Sequence, residues 1–132
     1  MPKQQITPEG SAEIMGAYSH GLKVDIGDSE MIFVTGQIAQ DSEGNVVSDD
    51  IEEQTEYVFQ QIQNILNEAS ASLDDVVKAQ IFLTDINDFA KVSPIRNKYF
   101  TGSKPVSTLV EVSNLVKQGC KIEIEVIAIK GK

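Results

Sequence analysis

The sequence predicts an α+β domain in which a mixed six-stranded sheet carries two helices on one face. Three observations point to it. Apolar residues recur at helical spacing over 51–69, they alternate at strand spacing over 77–84 and 121–129, and a strand–strand–helix rhythm runs about twice along the chain. Two helices cannot cover both faces of such a sheet, so one face is left to meet something else.

Taken in order, residues 1–16 show no strong periodicity and read as an irregular or edge segment. Leu22 to Ile26 reads as a strand, Gly27-Asp28-Ser29-Glu30 as a hairpin turn, and Met31 to Thr35 as the returning strand. Gly36 ends or bulges that strand and leaves the backbone near Thr35 approachable. Asp41 to Asn45 is a turn signal, and Val46-Val47 reads as a short strand. The helix that follows is capped by Ser48, Asp49 or Asp50, with Glu52 and Glu53 in its first turn, where the dipole favours negative charge. Ile51, Thr55, Val58, Ile62, Ile65 and Ala69 form its buried stripe. Ser72 to Asp75 has the form of a capping box with an aspartate in the usual Glu or Gln place. Val77 to Thr84 alternates as a strand, Val77, Ala79, Ile81 and Leu83 sharing one face. Ser93-Pro94 predicts the start of a second helix, closed by Gly102. Two strands end the chain, Thr108 to Val112 and Lys121 to Ile129.

The last strand is the most informative. Ile122, Ile124, Val126 and Ala128 make one wholly apolar face; Glu123, Glu125, Ile127 and Ile129 make the other. On composition alone, an edge strand with solvated carboxylates accounts for Glu123 and Glu125. The apolar turn at Ile127 and Ile129, with Phe82 in one register, argues instead for a face covered by a second copy of the chain or by a ligand.

Composition narrows the function classes. A chain of 132 residues, 41% hydrophobic and 23% charged, is a single domain, 1–132, that can build a core without disulfide or metal. No apolar run has the length of a membrane span, no secretory leader is visible, and a lone Cys120 suits a reducing cytoplasm. The net charge is −9 and the eleven cationic residues, of which only Arg96 is arginine, are scattered. Nucleic-acid binding, which needs a basic stripe, is therefore not expected, and neither is a membrane partner. One His and one Cys give no zinc pattern, and no calcium loop, phosphate loop or dinucleotide motif is present, so no metal or cofactor is expected. Cys120 reads as an ordinary turn thiol and His20 as a hydrogen-bonded structural residue. For hydrolysis, Glu123 on the uncovered face is the candidate to handle water, with Tyr18 and the backbone at Thr35-Gly36 as contacts.

Several segments together resemble the RidA/YjgF family, also labelled L-PSP endoribonuclease-like: GAYSHG at 16–21, FVTGQIA at 33–39, the helix from 52 followed by 72–92, and VEVSNL and KIEIEVIAI at 110–115 and 121–129. The resemblance implies a chorismate-mutase-like fold and a homotrimer whose sheets form a central barrel, with ligand clefts between subunits. It implies hydrolysis of reactive enamines and imines such as 2-aminoacrylate and 2-iminobutanoate to 2-keto acids and ammonia. On the matching motifs, Tyr18, Thr35 and Gly36 would contact ligand, Glu123 would orient water, and Ser93 stands where an asparagine is common. Deaminating members carry Pro-Ala-Arg-Ser before the VEV strand, and that arginine clamps the substrate carboxylate. This chain has Ser107 at the arginine position and Leu109 at the nearby cysteine position. Serine donates one neutral hydrogen bond in place of a bidentate, charge-assisted pair. Ordinary imine deamination is thus expected to be weak, altered or absent unless Arg96 or a lysine replaces the clamp. The alternative is a trimer that binds a small carbonyl, imine or carboxylate metabolite without catalysis. An endoribonuclease is disfavoured by the charge.

Overall fold

The computed structural model describes residues 2–132. Its strands are β1 (Lys3–Ile6), β2 (Gly21–Asp25), β3 (Ser29–Ile38), β4 (Val76–Leu83), β5 (Val106–Glu111) and β6 (Ile122–Gly131). Its helices are α1 (Ile51–Glu68) and α2 (Phe89–Phe100), each following or preceding short 3-10 turns at Leu73–Asp75 and Ile86–Asp88. One six-stranded sheet has the order β1-β2-β3-β6-β4-β5. Only β4 and β5 run parallel, joined through α2. The α+β class and the mixed six-stranded sheet with two helices agree with the sequence expectation.

The core lies between the helices and one sheet face. Ile32 and Val34 of β3, Ala79, Ile81 and Leu83 of β4, and Ile122, Ile124, Val126 and Ala128 of β6 are all buried there against Val58, Phe59, Ile62 and Leu66 of α1. Asp50 is the α1 cap, its carboxylate accepting from the Glu53 N–H at 2.9 Å. Phe59 stacks on Tyr99 of α2 at 4.6 Å between ring centroids and meets the edge of Phe100 at 5.2 Å. The Ser72 capping box forms as expected, with Asp75 accepting from the Ser72 N–H.

Four local expectations are corrected. Val46-Val47 is not a strand; a single bridge between Gln40 and Val46 stands in its place, and the sixth strand comes from Lys3–Ile6. The register slips between Val76 and Lys78, so Val76 enters the core and Val77 turns outward. The second helix begins at Phe89, not at Ser93. The preceding 3-10 turn, capped by Asp85, feeds directly into it and leaves Pro94 inside the helix. Finally, β6 is not an edge strand: it pairs with β3 on one side and β4 on the other, and Glu123 and Glu125 sit at the middle of the sheet.

The face away from the helices carries these two glutamates with Phe33, Phe82, Gln80, Ile127 and Ile129. Phe33 is 37% and Ile129 is 38% exposed. A central sheet face of that composition is the feature the alternation of β6 predicted.

Candidate functional site

Glu123 is positioned by a bulge in the strand beside it. Val34 pairs with Val126 and Gln37 with Ile124, so Thr35 and Gly36 together oppose Glu125. The bulge turns Gly36 toward the Glu123 carboxylate, which lies against its backbone. A Cβ at Gly36 would meet Oε2 and come within 2.8 Å of the carboxyl carbon. Among the described residues Glu123 has no hydrogen-bond or ion-pair partner. Burial raises its pKa above the ordinary carboxylate value, and the neighbouring Glu125 raises it further. A half-buried, unpaired carboxyl whose pKa is raised is suited to accept a proton and to return it.

The strand carrying Glu123 is anchored by a residue that sequence patterning left out. Gln54 of α1 is fully buried. Its amide donates to the carbonyls of Ser48 at 2.8 Å and Gly119 at 2.9 Å, and its oxygen accepts from the Lys121 N–H at 2.8 Å. Helix start, loop and strand start are thereby tied at one point, two residues before Glu123. A glutamine inside an apolar stripe is the only sign of this in the sequence.

Tyr18, Thr35, Gly36 and Glu123 line one open cleft of about 760 Å³. Its walls are the segment 8–14, the flank of α1 at Gln61 and Asn64, and the β3 bulge. Tyr18 is 59% exposed and carries its phenol free of the core. The Thr35 hydroxyl donates to the Ser19 carbonyl, and the Thr35 N–H donates to the His20 carbonyl at 3.0 Å. Thr35 therefore holds the Tyr18 loop in place. His20 Nε2 donates to the Ala12 carbonyl at 2.9 Å and pins the covering segment, which occupies it as a structural residue. The cleft is acidic: Glu9, Glu13, Asp41 and Glu123 line it, against one lysine, Lys117.

The remaining sequence candidates lie elsewhere. Ser107 pairs with Ala79, whose side chain points into the core, so Ser107 faces the helix side of the sheet. It lines a separate hollow with Arg96. Ser93 lies inside α2 and its hydroxyl accepts from Arg96 Nη2 at 3.0 Å. Leu109 packs on the core from the same face as Ile81 and lines neither hollow. Cys120 is buried, and burial pushes its thiol pKa up, which suits an inert packing residue.

The family model described as Endoribonuclease L-PSP matches residues 10–130. The chain is 47% identical to a RutC family protein of Pyrococcus abyssi over 98% of this chain and 99% of that one. It is 35% identical to a 2-iminobutanoate/2-iminopropanoate deaminase of Rattus norvegicus, covering 98% of this chain and 91% of the relative. Among solved structures it resembles a conserved Rid family protein of unknown function from Yersinia pestis. That pair has a TM-score of 0.85 and 34% identity, with 99% and 100% of the two chains covered.

Proposed function

The chain belongs to the Endoribonuclease L-PSP family, the RidA/YjgF or Rid proteins, and from that premise we propose that it hydrolyses small imines or enamines to carbonyl compounds and ammonia. The observation that carries this reading is the unpaired Glu123 carboxyl, half-buried against Gly36 in a cleft that also holds Tyr18. In the proposed reaction Glu123 accepts a proton from water as its oxygen attacks the C=N carbon. With an iminium as the substrate, the nitrogen of the resulting carbinolamine takes that proton back from Glu123 and the C–N bond breaks to release ammonia; as the C=O bond forms, the carbinolamine O–H bond breaks and its proton passes to the regenerated Glu123 carboxylate and on to ammonia, which leaves as ammonium. The acidic lining suits an iminium or ammonium end.

A homotrimer is part of the proposal. The uncovered face carrying Phe33, Ile127 and Ile129 supports it. So does the division of the family-matched residues: Glu123 belongs to the open face and Ser107 to the helix side, so one chain does not bring them together. A cytoplasmic setting belongs to the same reading; no helix of the described residues is long and apolar enough to cross a membrane. A second reading, a trimer that binds such metabolites without turning them over, is favoured by neutral Ser107 in place of a cation.

The test is ammonia release from freshly generated 2-iminobutanoate and from an imine lacking a carboxylate, with sedimentation in parallel. Turnover above the spontaneous rate by a trimer is expected. Spontaneous rates for both compounds would exclude the hydrolytic reading, and a monomer would exclude the shared cleft.

A further inference from the structure

The Glu123 cleft is larger and more acidic than a short imino acid requires. Its volume of about 760 Å³ lies well inside the range of sites that hold much larger ligands. Glu9, Glu13, Asp41 and Glu123 line it against Lys117, and none of these five takes part in an ion pair among the described residues. An acid end would enter against that charge, whereas a cation would enter with it.

A second carboxylate is fixed further along the cleft. Asp41 follows Ile38, the cross-strand partner of Glu123, by three residues, so the Ile38 and Asp41 backbones are at most about 11 Å apart. Asp41 Oδ1 accepts from the Glu43 and Asn45 N–H groups, both at 2.9 Å, which holds the carboxyl group in place and leaves Oδ2 for another donor. Tyr57 lines the same cleft beside it: burial first, and then the Asp41 charge, raise the pKa of its phenol. An aromatic ring next to a fixed carboxylate is a pairing that binds an ammonium or guanidinium group. The opposite chemistry is missing. Where the family pattern places an arginine for the substrate carboxylate, this chain has Ser107, which is neutral.

We propose that the preferred substrates of this cleft are imines with a protonated amine or guanidinium at the far end and no carboxylate, the iminium end lying at Glu123 and the cationic tail at Asp41 and Tyr57. This rests on the hydrolytic reading above and names its substrate class. Water adds to the C=N carbon and the nitrogen leaves as ammonium, so the product is an aldehyde that keeps its cationic tail. The step needs no oxidant or reductant.

The experiment is amide NMR titration of the full-length protein with agmatine, which carries an ammonium at one end and a guanidinium at the other. Butylamine, which has no second cation, and 2-oxobutanoate, which has a carboxylate, are the controls. Agmatine is expected to shift the amides of Asp41, Ser42 and Glu123 along one saturation curve and to bind about 10-fold more tightly than butylamine, as a second charge-assisted contact implies. Added salt weakens it. Asp41→Asn keeps the Oδ1 acceptor of the turn and removes the charge; it should weaken agmatine about 3–10-fold and leave butylamine unchanged. The proposal is overturned by the absence of a saturable agmatine shift, by butylamine or 2-oxobutanoate binding at these amides as tightly as agmatine, or by an unchanged agmatine Kd in an Asp41→Asn protein with a native spectrum. Ammonia release reads the hydrolytic reading separately. Agmatine bound by a protein that hydrolyses no imine leaves the cation site standing and removes the reaction, and turnover of 2-iminobutanoate without agmatine binding does the reverse.

Discussion

The carboxylate of Glu123 occupies the space that a side chain at Gly36 would fill. The bulge at Thr35-Gly36 and the acid on the next strand are thus one unit. Gly36→Ala is expected to displace the carboxylate, at a cost of about 1–3 kcal/mol in stability for the overpacking. Activity should fall far more than stability does. Thermal melts alongside ammonia-release assays at a temperature where the variant stays folded check this.

Glu123→Gln separates charge from shape. The folded-state pKa of Glu123 is raised, by burial first and then by Glu125. Ionising it therefore costs the fold stability as pH rises above the unfolded value. The glutamine variant should be at least as stable as the wild type at pH 7, and the gap should close in acid, where both side chains are neutral. Paired melts at pH 7 and pH 4 read the difference.

Gln54→Leu removes a fully buried amide and leaves the Ser48 and Gly119 carbonyls and the Lys121 N–H without their partner. A loss of about 2–4 kcal/mol is expected, from the desolvated groups left behind. Denaturant unfolding measures it, and amide exchange should be fastest at Lys121 and the start of β6.

Glu56 bonds both Lys98 and Tyr99 and fastens α2 to α1. The Lys98 hydrogen bond, then that of Tyr99, holds its carboxyl below the ordinary value of 4.5. Its contribution is present above the unfolded pKa and is lost as pH falls through the lower folded one. Glu56→Gln should cost about 0.5–1 kcal/mol at pH 7, a figure kept low because the pair is partly exposed. The penalty should shrink as the pH falls below the ordinary carboxylate value, through the lowered folded one.

Periodicity revealed the scaffold and the alternating face of β6, because burial imposes a spacing on sequence. It placed Ile122, Ile124, Val126 and Ala128 inward and Glu123 outward, as found. It did not reveal that β6 is central, since strand order is set by pairing across the chain. The extra residue at Val77 was hidden because two valines in succession fit either register. The local cap signal at Ser93-Pro94 is overridden by the 3-10 turn that begins at Ile86, which starts the helix four residues earlier. The cleft candidates Tyr18, Thr35, Gly36 and Glu123 do converge in one hollow. The meeting of Ser93, Arg96 and Ser107 depends on how α2 lies against β5, which no spacing rule encodes.

The most direct measurement is the rate of ammonia release from enzymatically generated 2-iminobutanoate by wild type and by Glu123→Gln at equal concentration. Removing a positioned acid–base group is expected to lower the rate by about 10²–10⁴-fold, with the oligomer and melting temperature retained. Equal rates in the two proteins, or a wild type at the spontaneous rate, would contradict the account.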